Sequence, residues 1–250
     1  MPQAQHTLEA LLWDVDGTVA ETERDGHRVA FNQAFEAAGL PWHWDVAHYG
    51  ALLEVTGGRE RLLADMATRG DAPHRAEDRE ALARHLHALK NERYARLVEA
   101  GAIAARPGVL EVMREARAAG LRQAIVTTTS RSNVQALFAR LLGDDWAAGF
   151  EVVCCGEDTR RKKPDPEVYL LALQALGLVP AAALAIEDST PGSQAAGAAG
   201  VPLLLRTSVY FHDDGLPEGV VGWLCPPDAP IDLALLRRVH AELGRVTAQA

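Results

Sequence analysis

The chain has 250 residues, enough to bury a full core, and fits one α/β domain, alone or carrying a smaller inserted one. Its 34 acidic residues against 25 Lys and Arg give a formal net charge of -9. That balance argues against nucleic acid as the main partner and requires any anion site to gather positive charge locally. Cys154, Cys155 and Cys225 have no metal-ligand or redox spacing, so they read as reduced thiols and not as a disulfide framework.

Residues 1–8 carry no basic, apolar leader, and no stretch approaches about 18 consecutive apolar residues. The expectation is a cytoplasmic protein without a membrane partner and, with a core of its own, a monomer. Residues 10–13 form the first short apolar run bounded by polar ones, the pattern of a buried strand. From about residue 20 to 105 helix periodicity takes over. Phe31, Ala34, Phe35 and Ala38 make an apolar stripe ended by Gly39, and Leu62, Leu63 and Met66 mark a second helix. The charged stretch 76–98 carries Leu82, Leu86, Leu89 and Leu97 on roughly one face. His43, His48, Trp42 and Trp44 are assigned to packing in this segment. His85 and His87, two apart on a predicted helix, face different ways and form no metal pair.

The core resumes at the turn Arg106-Pro107-Gly108, followed by a helix marked by Val109, Val112, Met113 and Ala116. Further strands are predicted at 123–127, 151–155, 182–186 and 201–205. Between them lie helices marked by Val134, Leu137, Phe138 and Leu141 and by Val168, Leu171, Ala172 and Ala175. Strand alternating with helix predicts an α/β fold, a doubly wound parallel sheet built from residues 1–21 and 105–250, with an inserted α-helical domain at 22–104.

Four short motifs each follow a predicted strand, where an open α/β sheet gathers its ligands. Asp14-Val15-Asp16-Gly17-Thr18 places two carboxylates toward one crevice; a polar turn is the alternative reading. Thr127-Thr128-Thr129-Ser130-Arg131 offers hydroxyls and helix-start amides to a phosphate oxygen, or is an ordinary hydroxyl cap. Lys162-Lys163-Pro164-Asp165-Pro166 holds an ammonium toward the crevice, or is surface lysine. Glu187-Asp188-Ser189 ends a buried run with carboxylates, which are costly unless paired or bound to a cation. Mg2+ takes few carboxylates, and Asp14, the Asp16 region and Asp188, with Glu187 as a further candidate, supply them; a helix cap is the other reading.

In this order the motifs resemble the haloacid dehalogenase superfamily, and the resemblance spans nearly the whole chain. The insertion after the first motif is similar to that superfamily's helical cap, of the subgroup that includes β-phosphoglucomutase and phosphoglycolate phosphatase. Within it, residues 20–28 and 57–61 look most like CbbY-type sugar-phosphate phosphatases. The resemblance implies that Asp14 attacks phosphorus to form an aspartyl-phosphate while Asp16, initially protonated, protonates the leaving oxygen and then activates water. It implies that Lys163 and Thr128, with Thr129 beside it, hold the phosphoryl oxygens, that Mg2+ is the cofactor, and that the partner is a small sugar phosphate. The implied substrate is xylulose 1,5-bisphosphate, a by-product in carbon fixation. Mutase-type transfer and phosphoglycolate hydrolysis are the alternatives; a dehalogenase and a non-catalytic sensor fit the motif residues less well. Glu23 and His27 follow by helix-like spacing and either contact sugar hydroxyls, assist Asp16, or are ordinary helix residues. Gly58, Arg59 and Arg61 from the insertion and Arg131 from the core are candidates for substrate, the guanidinium forks for a second phosphate.

Overall fold

Apolar runs short enough to be buried on both faces become the sheet. In the computed structural model, which describes residues 6–212 and 215–247, these are β1 (Ala10–Trp13), β2 (Arg122–Val126), β3 (Val152–Cys154), β4 (Ala183–Glu187), β5 (Leu203–Arg206) and β6 (Gly222–Cys225). Part of the N-terminal segment read for a leader, residues 1–5, lies outside the described residues. The strands are parallel in the order β3-β2-β1-β4-β5-β6. Every residue of β1 and β4 is buried. Trp13 stands level with Ile125 on one side and Ile186 on the other, so the residues that leave these strands emerge side by side. Strand order reverses between β1 and β4, which opens a crevice at the carboxyl edge.

Side-chain alternation divides the core. Leu11, Trp13, Ile125, Leu184 and Leu204 face α5 (Val109–Ala118), α6 (Arg131–Leu142) and α9 (Leu233–Thr247). Leu12, Val126, Ala185, Leu203 and Leu205 face α7 (Glu167–Leu176) and α8 (Thr190–Ala198). A third cluster belongs to the insertion, whose helices are α1 (Arg28–Ala37), α2 (Val46–Leu52), α3 (Gly58–Thr68) and α4 (Ala76–Glu99), entered through a π-helical turn at Glu23–His27. Phe31, Phe35, Trp42, Trp44 and Tyr49 pack there ring on ring, Phe31 and Trp44 at 4.7 Å. The two connections to the core pair at the base through a bridge between Ala20 and Ala105. No described helix is long and apolar enough to cross a membrane.

The structure adds elements that the periodicity did not announce, α2, β6 and α9, and turns α4. Its buried face is Ala83, Leu86, Lys90, Tyr94 and Val98, and the predicted Leu82, Leu89 and Leu97 lie only partly covered beside it. The reason is that α4 serves two surfaces: it packs on α1 and also walls the crevice, where a lysine is an asset.

One buried arginine joins the parts. Arg106 donates to the carbonyls of Gly17, Arg206 (2.9 Å), Thr207 (2.9 Å) and Pro227 (2.7 Å), tying the loop after β1 to the end of β5 and to the segment after β6. A lysine cannot reproduce that fork. Arg106→Lys is expected to lower the unfolding free energy by about 2–4 kcal/mol, because several buried carbonyls lose their donor. Urea denaturation monitored by tryptophan fluorescence measures it, and a change within about 0.5 kcal/mol, the range of ordinary surface substitutions, would contradict this assignment.

Candidate active site

The crevice is built outward from Asp14, the residue after β1, whose backbone N–H continues the ladder to Ile186 O at 3.1 Å. Lys163 reaches it from the loop before α7. Its ammonium donates to Asp14 Oδ1 (2.7 Å), Glu187 Oε1 (2.6 Å) and Val126 O (2.9 Å), which uses all three of its protons. Tyr169 from α7 donates its hydroxyl to the same Glu187 oxygen. Asp188 completes the group beside Ser208. Gly17 lies at φ +80°, and a Cβ there would stand 2.0 Å from Asp188 Oδ2, so the turn needs glycine for both backbone and space.

Oxygens of Asp14, Glu187 and Asp188 all lie within 4.8 Å of one another, and all three residues are buried. One ammonium faces three carboxylates. Burial pushes the Asp14 carboxyl up to about 7, against the pull of Lys163 and with repulsion from Glu187. Asp188 is raised well above the usual range by burial, then by Asp14 and Glu187. For Lys163, burial works against the charge, but Asp14 and Glu187 prevail and hold it above an ordinary lysine. An all-oxygen, electron-rich donor set short of positive charge fits a hard divalent cation.

Asp16 stands apart from that cluster. Thr22 Oγ1 donates to its Oδ1 at 2.6 Å, and His27 Nε2 meets the same oxygen at 2.8 Å. Burial would raise this carboxyl, but the charge and hydrogen bond of His27, then Thr22 and Lys90, outweigh it and hold Asp16 below the usual carboxylate range. The structure places the Asp16 carboxylate against the connection into the cap and outside the trio of Asp14, Glu187 and Asp188, and with only the protein's own groups around them the proton is favoured on Asp14 over Asp16.

Thr128 lines both an inner cavity, with Asp14, Asp16, Lys163 and Asp188, and an outer one of about 410 Å³. Thr129 lines the outer cavity only, and its hydroxyl accepts from Asn133 Nδ2 at 3.2 Å. From the cap come Glu23, His27, Gly58, Arg59 and Arg61. Arg61 is buried and committed: it donates to Tyr49 Oη (2.8 Å) and Leu52 O (3.2 Å) and lies 3.8 Å from Glu23, itself an acceptor for Tyr49. Arg59 is looser, 3.9 Å from Glu60 and 3.7 Å from Glu80. Arg131 does not line the cleft. It folds back over the end of β3, donating to Asp158 and to Val153 O (3.4 Å), because that acidic turn offers the nearer partner.

Sequence reasoning passed over His87 and Lys90 on α4, both of which line the outer cavity. Lys90 rests over the rings of Phe31 and Tyr94, each at 5.3 Å, and burial lowers it to about 8 although Asp16 and Glu23 pull upward. Burial, then the charge of Lys90, lowers His87 to about 3, so it is a neutral imidazole. The available signal was Lys90 itself, a charge four residues from Leu86 and from Tyr94 on the same face. The cap also touches the core directly: Thr56 Oγ1 donates to the Lys163 carbonyl, and the rings of Tyr49 and Tyr210 lie 5.8 Å apart.

The family profile of the haloacid dehalogenase-like hydrolases matches residues 8–200. The chain belongs to that family. This haloacid dehalogenase-like hydrolase is 45% identical to Protein CbbY of Rhodobacter capsulatus over 207 residues, covering 83% of the chain and 88% of that protein. It is 40% identical to the plasmid CbbY protein of Cupriavidus necator over 248 residues, 93% of the chain and 97% of the relative. Among solved structures it is similar to CbbY from Rhodobacter sphaeroides in complex with phosphate, with a TM-score of 0.83 at 38% identity, covering 92% of this chain and 99% of that one. A mutant of the same protein in complex with xylulose-(1,5)bisphosphate matches with the same scores. The parallel core, the helical cap and the membership in a hydrolase family expected from the motifs therefore stand.

Proposed function

We propose that this hydrolase is a Mg2+-dependent sugar-phosphate phosphatase that converts xylulose 1,5-bisphosphate to xylulose 5-phosphate and phosphate. The observation that carries the reading is the contact of Lys163 with Asp14 in a buried carboxylate group, beside a cap that brings Glu23 and Arg61 to the inner cavity and His27 and Arg59 to the outer one. The likeness to a protein solved with xylulose-(1,5)bisphosphate supports the choice of substrate.

Asp14 is the nucleophile: its oxygen bonds to phosphorus as the bond from phosphorus to the sugar oxygen breaks, and Asp16 gives that oxygen its proton. Asp16 then takes a proton from water, whose oxygen displaces Asp14 and leaves inorganic phosphate. A phosphate dianion beside Asp16 raises its carboxyl by like-charge repulsion, which loads the acid when substrate enters. Thr22 and His27 aim it. Lys163, its three protons shared among Asp14, Glu187 and Val126, fixes Asp14 and sets a positive charge beside the transferring group, and Thr128 offers its hydroxyl to a phosphoryl oxygen. Mg2+, held by Asp14 and Asp188 with Glu187 behind them, would neutralise the carboxylates and charge on the transferring group.

Initial rates across pentulose and hexose mono- and bisphosphates test the reading, with xylulose 1,5-bisphosphate expected to give the highest kcat/KM. A phosphorylated sugar product in place of free phosphate would mean transfer and overturn hydrolysis. Chelation supplies a second test. In EDTA, turnover is expected to vanish and to return with Mg2+. The folded Asp14 carboxyl lies at about 7 against an ordinary 3.8, so the native state binds the extra proton between those values. Stability of the chelated protein therefore falls as pH rises through that window. Saturating Mg2+ is expected to raise Tm by roughly 5 °C at pH 8 and by less at pH 5. An equal gain at both would separate the cation from these carboxylates.

A further inference from the structure

We infer that Lys162, the neighbour of the lysine at the reaction centre, selects doubly phosphorylated substrates by taking the second phosphate where cap and core face each other. The inference deepens the sugar-phosphate reading above and rests on it. The three arginines named for that task divide unevenly. Arg131 is turned away from the cleft, and Arg61 is spent on Tyr49, Leu52 and Glu23. Arg59 is left on the cap side, and a partner from the core is needed.

Lys162 stands there. Its ammonium lines the outer cavity, donates to Gly156 O at 2.9 Å and makes no ion pair among the described residues. Two protons remain for an anion. The path of the side chain is cleared from both sides. A Cβ on Gly57 of the cap, at φ +95°, would lie 2.6 Å from Lys162 Cδ, and one on Gly156 of the core would lie 2.9 Å from Nζ. Any side chain at either glycine would displace the lysine. Glu60, whose carboxylate also stands over Gly57, is beyond ion-pair range of Lys162 and leans toward Arg59.

The company is that of a substrate site. Asn133 is 2% exposed and lines the same cavity, and its Oδ1 has no partner, which leaves an acceptor for a hydroxyl between the two phosphates. Five cationic side chains line the cavity, Arg59, Arg61, Lys90, Arg160 and Lys162, against four carboxylates, a balance that favours an anion. Lys163 and Lys162 thus divide one substrate, the first at the reacting phosphate and the second at the far one.

The test compares Lys162→Met and Lys162→Arg in the full chain, with circular dichroism and Tm as fold controls. Substrates are xylulose 1,5-bisphosphate and p-nitrophenyl phosphate, which has no second phosphate. Lys162→Met is expected to reduce kcat/KM for the bisphosphate about 10- to 100-fold, chiefly through KM. The aryl phosphate is expected to change less than about threefold, and Lys162→Arg to restore much of the bisphosphate activity. Equal losses on both substrates would make Lys162 a support for Lys163 and overturn the inference, as would an unaltered bisphosphate KM; either leaves the substrate reading intact. If the wild type instead prefers another bisphosphate, such as fructose 1,6-bisphosphate, and Lys162→Met abolishes that preference, the named substrate fails and the inference stands.

Discussion

Asp14→Asn is expected to lower kcat by at least about 10⁴-fold while leaving the fold intact. Asparagine keeps the size of the side chain and an oxygen for the Lys163 ammonium, now 2.7 Å from Asp14 Oδ1, but it is no nucleophile toward phosphorus. The stability change has a definite sign. Burial already disfavours the Asp14 charge, and Glu187 repels it, so a neutral amide relieves the carboxylate group. Above pH 7 the chelated variant should unfold at a Tm equal to or higher than the wild type's, and below pH 4 the difference should disappear because both side chains are neutral. Intact-protein mass spectrometry after rapid quench should show a phosphorylated species for wild type and none for the variant. Retention of more than a few per cent of wild-type turnover would dismiss Asp14 as nucleophile.

Lys163→Met should cost both activity and about 3–5 kcal/mol of stability, the usual consequence of removing one side of a buried ion pair. Lys163 is 4% exposed, and three acceptors converge on its ammonium. Without it, Asp14, Glu187 and Asp188 would share a buried space with no cation from the protein. Two remedies should partly rescue the variant's Tm: acidification, which protonates the carboxylates, and saturating Mg2+, which replaces the charge. Thermal melts at pH 5 and 8, with and without Mg2+, measure both. A loss independent of pH and cation would point to lost packing against Tyr169, whose ring lies 5.3 Å from the ammonium, and not to charge.

The parallel core was legible because its strands are nearly continuous apolar runs, and β1 begins and ends where the pattern places it. β6 was not: at the sheet edge Gly222 and Trp223 are only partly covered and Leu224 is exposed, so the segment lacks the run that marks a central strand. α2 is too short for a period. At the site, Asp14 and Asp188 stood out because each motif directly follows a strand, and Lys163 because of the motif it heads in the loop before α7. The behaviour of Asp16 was not, since it depends on Thr22 and His27 returning to one carboxylate oxygen through a π-helical turn. Arg131 misled because a sequence places a residue at the start of a helix without fixing where its long side chain turns. Lys90 gave only the faint signal of a charge on an otherwise apolar helix face, and Lys162 stood in the lysine motif without a task of its own; burial and company distinguish these two.

The grip on Asp16 also sets a limit on modular engineering. Both residues that hold this carboxylate lie past Ala20, on the chain segment that carries the cap away from the core. A chimera that imports a foreign cap with a junction at residue 22 would therefore replace His27 together with the loops that line the outer cavity, and a recipient with Asp14 untouched would still have lost the alignment of Asp16. Splicing after His27 keeps that machinery in the recipient. The unit that can be exchanged for new substrates is smaller than the unit that folds.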